Sequence, residues 1–122
     1  MNHVYILGGL RSYIGVKDGM YRHIPAEKLG AEVLREVVSR FELPTDAIDY
    51  IIGGNAVGGG GNITRLAALS AGFPERIPAV TLDLQCGSAL EAISAAAAKI
   101  ESGMADLSLP GEWRVLRYSR TA

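Results

Sequence analysis

Apolar positions along the chain change period several times, and each change marks an element. Residues 4–7 (Val-Tyr-Ile-Leu) form a β-branched and aromatic run closed by Gly8-Gly9, which predicts a short, buried first strand. Polar residues and turn-formers fill residues 11–23, which read as a loop. Pro25 then opens a helix, at a position where a missing N–H costs nothing. Over residues 26–41, Leu29, Val33, Val37 and Phe41 recur every four positions, with Leu34 and Val38 beside them. Glu27, Lys28, Glu32, Arg35, Glu36 and Arg40 take the other side, the pattern of an amphipathic helix with one core-facing stripe.

A connector over residues 43–46 leads to a second strand, Tyr50-Ile51-Ile52, which breaks at Gly53-Gly54. The glycine run at residues 58–61 is a loop, and Asn62 is the expected N-cap of a helix that continues to Ala71 and stops at Gly72. Pro74 and Pro78 bracket another connector, and residues 79–84 make a third strand. Residues 87–102 follow as a strong helix with Leu90, Ile93, Ala97 and Ile100 on one expected core face and Gly103 just past its end. Strand and helix alternate three times, which argues a layered α/β fold with a largely parallel sheet.

A length of 122 residues allows one domain at most. Twelve basic residues against thirteen acidic ones leave a net charge of -1 and no basic stripe, so neither nucleic acid nor an anionic membrane is an expected partner. The alanine-rich run at residues 89–98 is too short and too weakly hydrophobic to span a bilayer. The first residues lack the basic-then-apolar pattern of a signal peptide, and the single cysteine fits a reducing compartment, so a cytoplasmic location is expected.

That cysteine is also the sharpest chemical feature. In Gln85-Cys86-Gly87-Ser88-Ala89-Leu90 a strand ends and a helix begins across Cys86. A thiol at a helix N-terminus faces backbone N–H groups and the positive end of the dipole, the placement of an activated nucleophile. The alternative is a buried structural cysteine, a common fate for a lone one. The glycine run lacks the Lys-Ser/Thr ending of a phosphate-binding loop. His3 and His23 sit in no metal or acid/base motif, and with one cysteine a structural zinc site is not expected.

Several segments together resemble the amino-terminal part of a thiolase, the acetyl-CoA acyltransferase family. Leu10-Arg11-Ser12-Tyr13-Ile14-Gly15, Ile52-Gly53-Gly54-Asn55-Ala56-Val57, Gly61-Asn62-Ile63-Thr64-Arg65 and residues 80–90 are similar to family segments in the same order and spacing. Cys86 falls on the family's acyl-accepting cysteine, and Gly87-Ser88 match, whereas Asp83 and Ala89 stand where the family usually has Asn and Gly. The resemblance implies the first half of an amino-terminal thiolase domain, a layered α-β-α fold that is incomplete, with the first strand at the centre of the sheet. It implies acyl transfer through a Cys86 thioester in Claisen condensation or thiolysis of 3-ketoacyl-CoA, in fatty acid metabolism, with coenzyme A thioesters as substrates and no tightly bound cofactor. It also implies a homodimer or higher homo-oligomer, with Asn62, Arg65 and the third strand near the contact.

The resemblance runs to about Leu107, so residues 1–107 read as the partial domain and residues 108–122 as an atypical tail. The chain is roughly a third of a family member's length, without the family's Gly-His-Pro motif or second cysteine, so it is expected to be truncated and inactive alone; the alternative is a non-catalytic folding or dimerising remnant. Codons chosen for the residues from Ser108 to Arg117 read, one frame away, as Val-Ile-Ala-Gly-Gly-Val-Glu-Ser, a strand the family has at this point. The tail is therefore expected to be out of frame and, with Arg114, Arg117 and Arg120 interrupting Trp113, Val115, Leu116 and Tyr118, loosely packed.

Overall fold

The computed structural model describes residues 2–56, 58 and 61–114. Three parallel strands form the sheet: β1 (Tyr50–Gly54) at the centre, β2 (Ala79–Leu82) on one edge and β3 (Ser108–Glu112) on the other. Ile51 lies beside Ala79 on one side and Leu109 on the other; Gly54 lies beside Leu82 and Glu112. Helices α1 (Ala26–Arg40) and α2 (Ile63–Ser70) cover one face, and α3 (Ser88–Glu101) covers the other. The layered, mostly parallel α/β fold expected of the sequence is therefore present, in incomplete form.

The two cores follow from strand geometry, since successive residues of a strand point to opposite faces. Ile51 and Leu109 join Leu34, Ile63, Ala67 and Phe73 in the larger core. Ile52, one residue along, packs with Ala92 and Ala96 of α3. Gly53 and Gly54 continue the alternation. A Cβ on Gly53 would strike Thr64 Oγ1 and the Trp113 indole, and one on Gly54 would lie 2.8 Å from the Ser88 Cβ. The strand break expected at this pair is instead the end of β1, where both helical layers approach bare backbone.

Four expectations change. Residues 4–7 are not a strand: Tyr5, Ile6 and Leu7 are exposed, Ile6 to 85%. The central place expected for them belongs to β1, whose two edges are already occupied by β2 and β3. The segment is tied instead at Asn2, whose backbone and side-chain N–H groups donate to the carbonyls of Glu101 and Ile100 at the end of α3.

In α1 the buried residues are Gly30, Ala31 and Leu34, while Leu29, Val33 and Val37 are half-buried and Phe41 is exposed. Small residues are buried there because the Trp113 ring lies against Gly30, where a Cβ would sit 3.0 Å from it. The face of α3 is reversed. Ser88, Ala92 and Ala96 meet the sheet, and Leu90 and Ile93, expected in the core, are 68% and 44% exposed. Small side chains let the helix lie close to β1, which a bulky stripe would prevent.

The tail is the last correction. Ser108–Glu112 pairs in register with β1, and Leu109 and Trp113 are buried, so the chain packs through Trp113 rather than loosening at residue 108. Gly30, Gly53 and Gly111 leave room for the indole, and Pro110 sits on an edge strand, where sheets tolerate proline. Val115, Leu116, Tyr118 and the rest of residues 115–122 lie outside the described residues.

Candidate functional site

Cys86 stands in the turn that joins β2 to α3, and it is exposed. The turn is closed by its own hydrogen bonds. The Gly87 N–H donates to the Leu84 carbonyl (3.0 Å) and the Ser88 N–H to the Gln85 carbonyl (3.1 Å). These two N–H groups, expected to face the thiol, thus close the turn beneath it. Gln85 has φ 49, in the left-handed region that non-glycine residues rarely occupy. Its N–H donates to Asp83 Oδ1 (3.0 Å). The Ser88 hydroxyl accepts from the Leu84 N–H (2.8 Å) and donates to the Gln85 carbonyl (2.7 Å), and Ser88 is fully buried. Gly87 is the N-cap of α3, so Cys86 immediately precedes the helix. The buried structural cysteine is excluded, and the strand-to-helix placement stands.

Gly61-Asn62-Ile63-Thr64-Arg65 opens α2 and ties it to β2. Asn62 caps α2 by accepting from the Arg65 N–H (3.1 Å), and its amide donates to the Ala79 carbonyl of β2 (2.8 Å). The Thr81 hydroxyl donates to Asn62 Oδ1 (2.6 Å) and lies 2.9 Å from Thr64 Oγ1, which accepts from the Trp113 indole N–H (3.2 Å). Arg65 donates to the carbonyls of Ile77 and Glu75 and holds the connector before β2. An open cleft of about 500 Å³ lies past the ends of β1 and β2, lined by Asn55, Asn62, Thr81 and Asp83 among others. That is where open α/β sheets take ligands.

The two histidines lie in other segments of the chain. His23 is exposed in the loop before α1, and the His3 ring lies 6.4 Å from the Tyr5 ring. The segment carrying His3 is tied to the C-terminal end of α3, whereas Cys86 precedes its N-terminal end. A helix of 14 residues separates those ends by roughly 21 Å at ~1.5 Å per residue. Among the described residues, no group of three His, Cys, Asp or Glu side chains could hold a metal ion. No helix there is long and apolar enough to cross a membrane.

Asn62 was expected as the α2 cap, but the Ser88 hydroxyl's bonds and the Thr81–Thr64–Trp113 chain leading from Asn62 were not expected from sequence. Their one signal was the Gly53-Gly54 pair, which marks close approach without saying of what.

An open parallel sheet with helices on both faces and an exposed cysteine at a strand-to-helix turn defines a layered α/β domain. Comparison with known proteins makes the class specific: the thiolase amino-terminal domain matches residues 4–111, and the chain belongs to the thiolase family. The steroid 3-ketoacyl-CoA thiolase FadA6 of Mycobacterium tuberculosis is 40% identical over 114 residues, covering 91% of this chain and 28% of that protein. The crystal structure of the Bacillus anthracis acetyl-CoA acetyltransferase superposes with a TM-score of 0.76 at 31% identity, covering 80% of this chain and 25% of that one. The chain thus spans about a quarter of the length of these relatives.

Proposed function

We propose that this chain carries the acyl-accepting element of a thiolase, with Cys86 as the nucleophile and coenzyme A thioesters as the acyl donors. The observation that supports this best is the exposed Cys86 at the β2–α3 turn of a thiolase-family chain. Its sulfur, as thiolate, adds to the thioester carbonyl, and the tetrahedral intermediate collapses with departure of the CoA thiolate, leaving an acetyl or longer acyl group on Cys86. Transfer onward to CoA, or to the α-carbon of a second acetyl-CoA, needs a base and a second thiol.

The 122 residues contain one cysteine, and His3 lies on the segment tied to the far end of α3 from it. The chain by itself is therefore competent at most for the first half-reaction and does not turn over. Incubation with acetyl-CoA followed by mass spectrometry tests this. Wild type gains one acetyl group, Cys86→Ala gains none, and thiolysis of acetoacetyl-CoA stays at background. No adduct on wild type, or an adduct that survives Cys86→Ala, overturns the reading.

The second reading, a non-catalytic associating remnant, draws on the exposed Leu90 and Ile93 of α3 and on Val80 on the edge strand β2. It predicts homo-oligomers near Asn62, Arg65 and β2, seen as sedimentation that rises with concentration; a monomer at every concentration removes it. We place the protein in the cytoplasm, which keeps an exposed thiol reduced. We also retain an out-of-frame origin for residues 108–122. Sequencing the DNA through codon 122 decides that: an intact frame with no thiolase sequence downstream refutes it.

A further inference from the structure

We propose that Ser88 is the positioning residue of the Cys86 turn, its buried hydroxyl tying Leu84 to Gln85 so that the intervening backbone delivers Cys86 to solvent in one orientation. The inference rests on the reading of Cys86 as acyl acceptor and adds the device that holds it.

Three observations converge on it. Ser88 is wholly buried, and its one hydroxyl both accepts from the Leu84 N–H at 2.8 Å and donates to the Gln85 carbonyl at 2.7 Å. A hydroxyl has one proton and two lone pairs, so these bonds commit its donor capacity to the turn. Gln85 is held at φ 49, a conformation that persists only where surrounding contacts over-determine it. Those contacts are Asp83 Oδ1 on the Gln85 N–H and both the N–H and O–H of Ser88 on the Gln85 carbonyl. Finally, Gly54 of the central strand leaves space for Ser88: a Cβ there would come within 2.8 Å of the Ser88 carbonyl carbon and Cβ. The clamp is thus seated on β1, the only strand among those described with a partner on both edges.

The full chain carrying Ser88→Ala tests the idea with two local readouts. Amide hydrogen exchange at Leu84 reports the hydrogen bond, and the second-order rate of Cys86 alkylation by iodoacetamide reports the placement of the thiol. Ser88→Ala should speed Leu84 exchange by about tenfold and slow alkylation by about threefold or more. Asp83→Ala, at an exposed position and removing the other tie on Gln85, should slow alkylation in the same direction by less. Ala92→Gly loosens the same helix away from the turn and should leave both readouts unchanged, although it lowers thermal stability. Equal effects from Ala92→Gly and Ser88→Ala, or no effect of Ser88→Ala on alkylation, would overturn the proposal. Neither readout needs an acyl donor. A Cys86 that takes no acetyl group therefore sinks the acyl-acceptor reading while both readouts still report whether Ser88 places the thiol, so the two failures are told apart.

Discussion

Trp113→Ala is the most informative single perturbation of this fold. The side chain is 5% exposed and lies in a seat made by Gly30, Gly53 and Gly111, with its indole N–H on Thr64. A tryptophan has roughly 200 Å² to bury, which at about 25 cal/mol per Å² is worth roughly 5 kcal/mol as an upper bound. Large-to-small substitutions of buried aromatics measure about 3–5 kcal/mol. A domain of this size has a net stability of only about 5–15 kcal/mol. Loss of Trp113 should therefore remove between about a fifth and all of it. Trp113→Phe keeps much of the apolar area and loses one hydrogen bond to Thr64 Oγ1, which still has Thr81 Oγ1 as a partner, so it should cost only about 1–2 kcal/mol for that bond and the smaller ring. Urea titration followed by far-ultraviolet circular dichroism measures both, since the protein has no other tryptophan to follow by fluorescence. A Trp113→Ala midpoint within about 0.5 kcal/mol of wild type, the range of ordinary surface changes, would refute the packing of residues 108–113 described above.

Gly53→Ala should destabilise by about 1–3 kcal/mol, because its Cβ has no space between Thr64 and Trp113; an unchanged urea midpoint would contradict that contact. Asn62→Ala should cost about 1 kcal/mol or more, losing the α2 cap and the tie to Ala79 together, measured by thermal melting. Asp49 gives a pH signature. The backbone N–H groups of Asp106 and Leu107 on its carboxylate, with Arg76 nearby, hold its pKa below the usual carboxylate value. A depressed folded pKa contributes stability that is present above the unfolded value, near pH ~4, and is lost as pH falls through the folded one. The gap in stability between wild type and Asp49→Asn should accordingly be constant at neutral pH and close below about pH 4; a gap that does not change with pH refutes it.

Caps and breakers were the legible part of this fold. Pro25, Asn62, Gly72 and Gly103 stand where the sequence pattern puts helix ends, with φ 83 at Gly72 and 81 at Gly103 supplying the left-handed turn that glycine allows. What hydrophobic periodicity misassigned was the direction of burial. Leu90 and Ile93 are bulky residues of α3, and bulk reads as core; yet the sheet accepts the face of Ser88, Ala92 and Ala96, because small side chains let the helix lie close to β1. The run at residues 4–7 has every local mark of a strand and no edge of β1 left to pair with, a fact of topology that no local pattern encodes. At the candidate site, Cys86 was legible because a lone thiol between strand and helix is rare chemistry. Ser88 was not, because a serine at the first turn of a helix reads as an ordinary cap, and only the fold turns its hydroxyl back on Leu84 and Gln85.

The bare backbone at Gly53-Gly54 has a mechanical consequence. Two consecutive residues without side chains make the sheet one peptide thick at this point. The start of α2, through Thr64, and the start of α3, through Ser88, bear on opposite sides of that peptide. The turn bearing Cys86 is therefore seated, through Ser88, on the central strand of the sheet, while the thiol itself is exposed. Exposure of the thiol and anchoring of its turn are thus separate properties here, the first set by where Cys86 stands and the second by the bare backbone under Ser88.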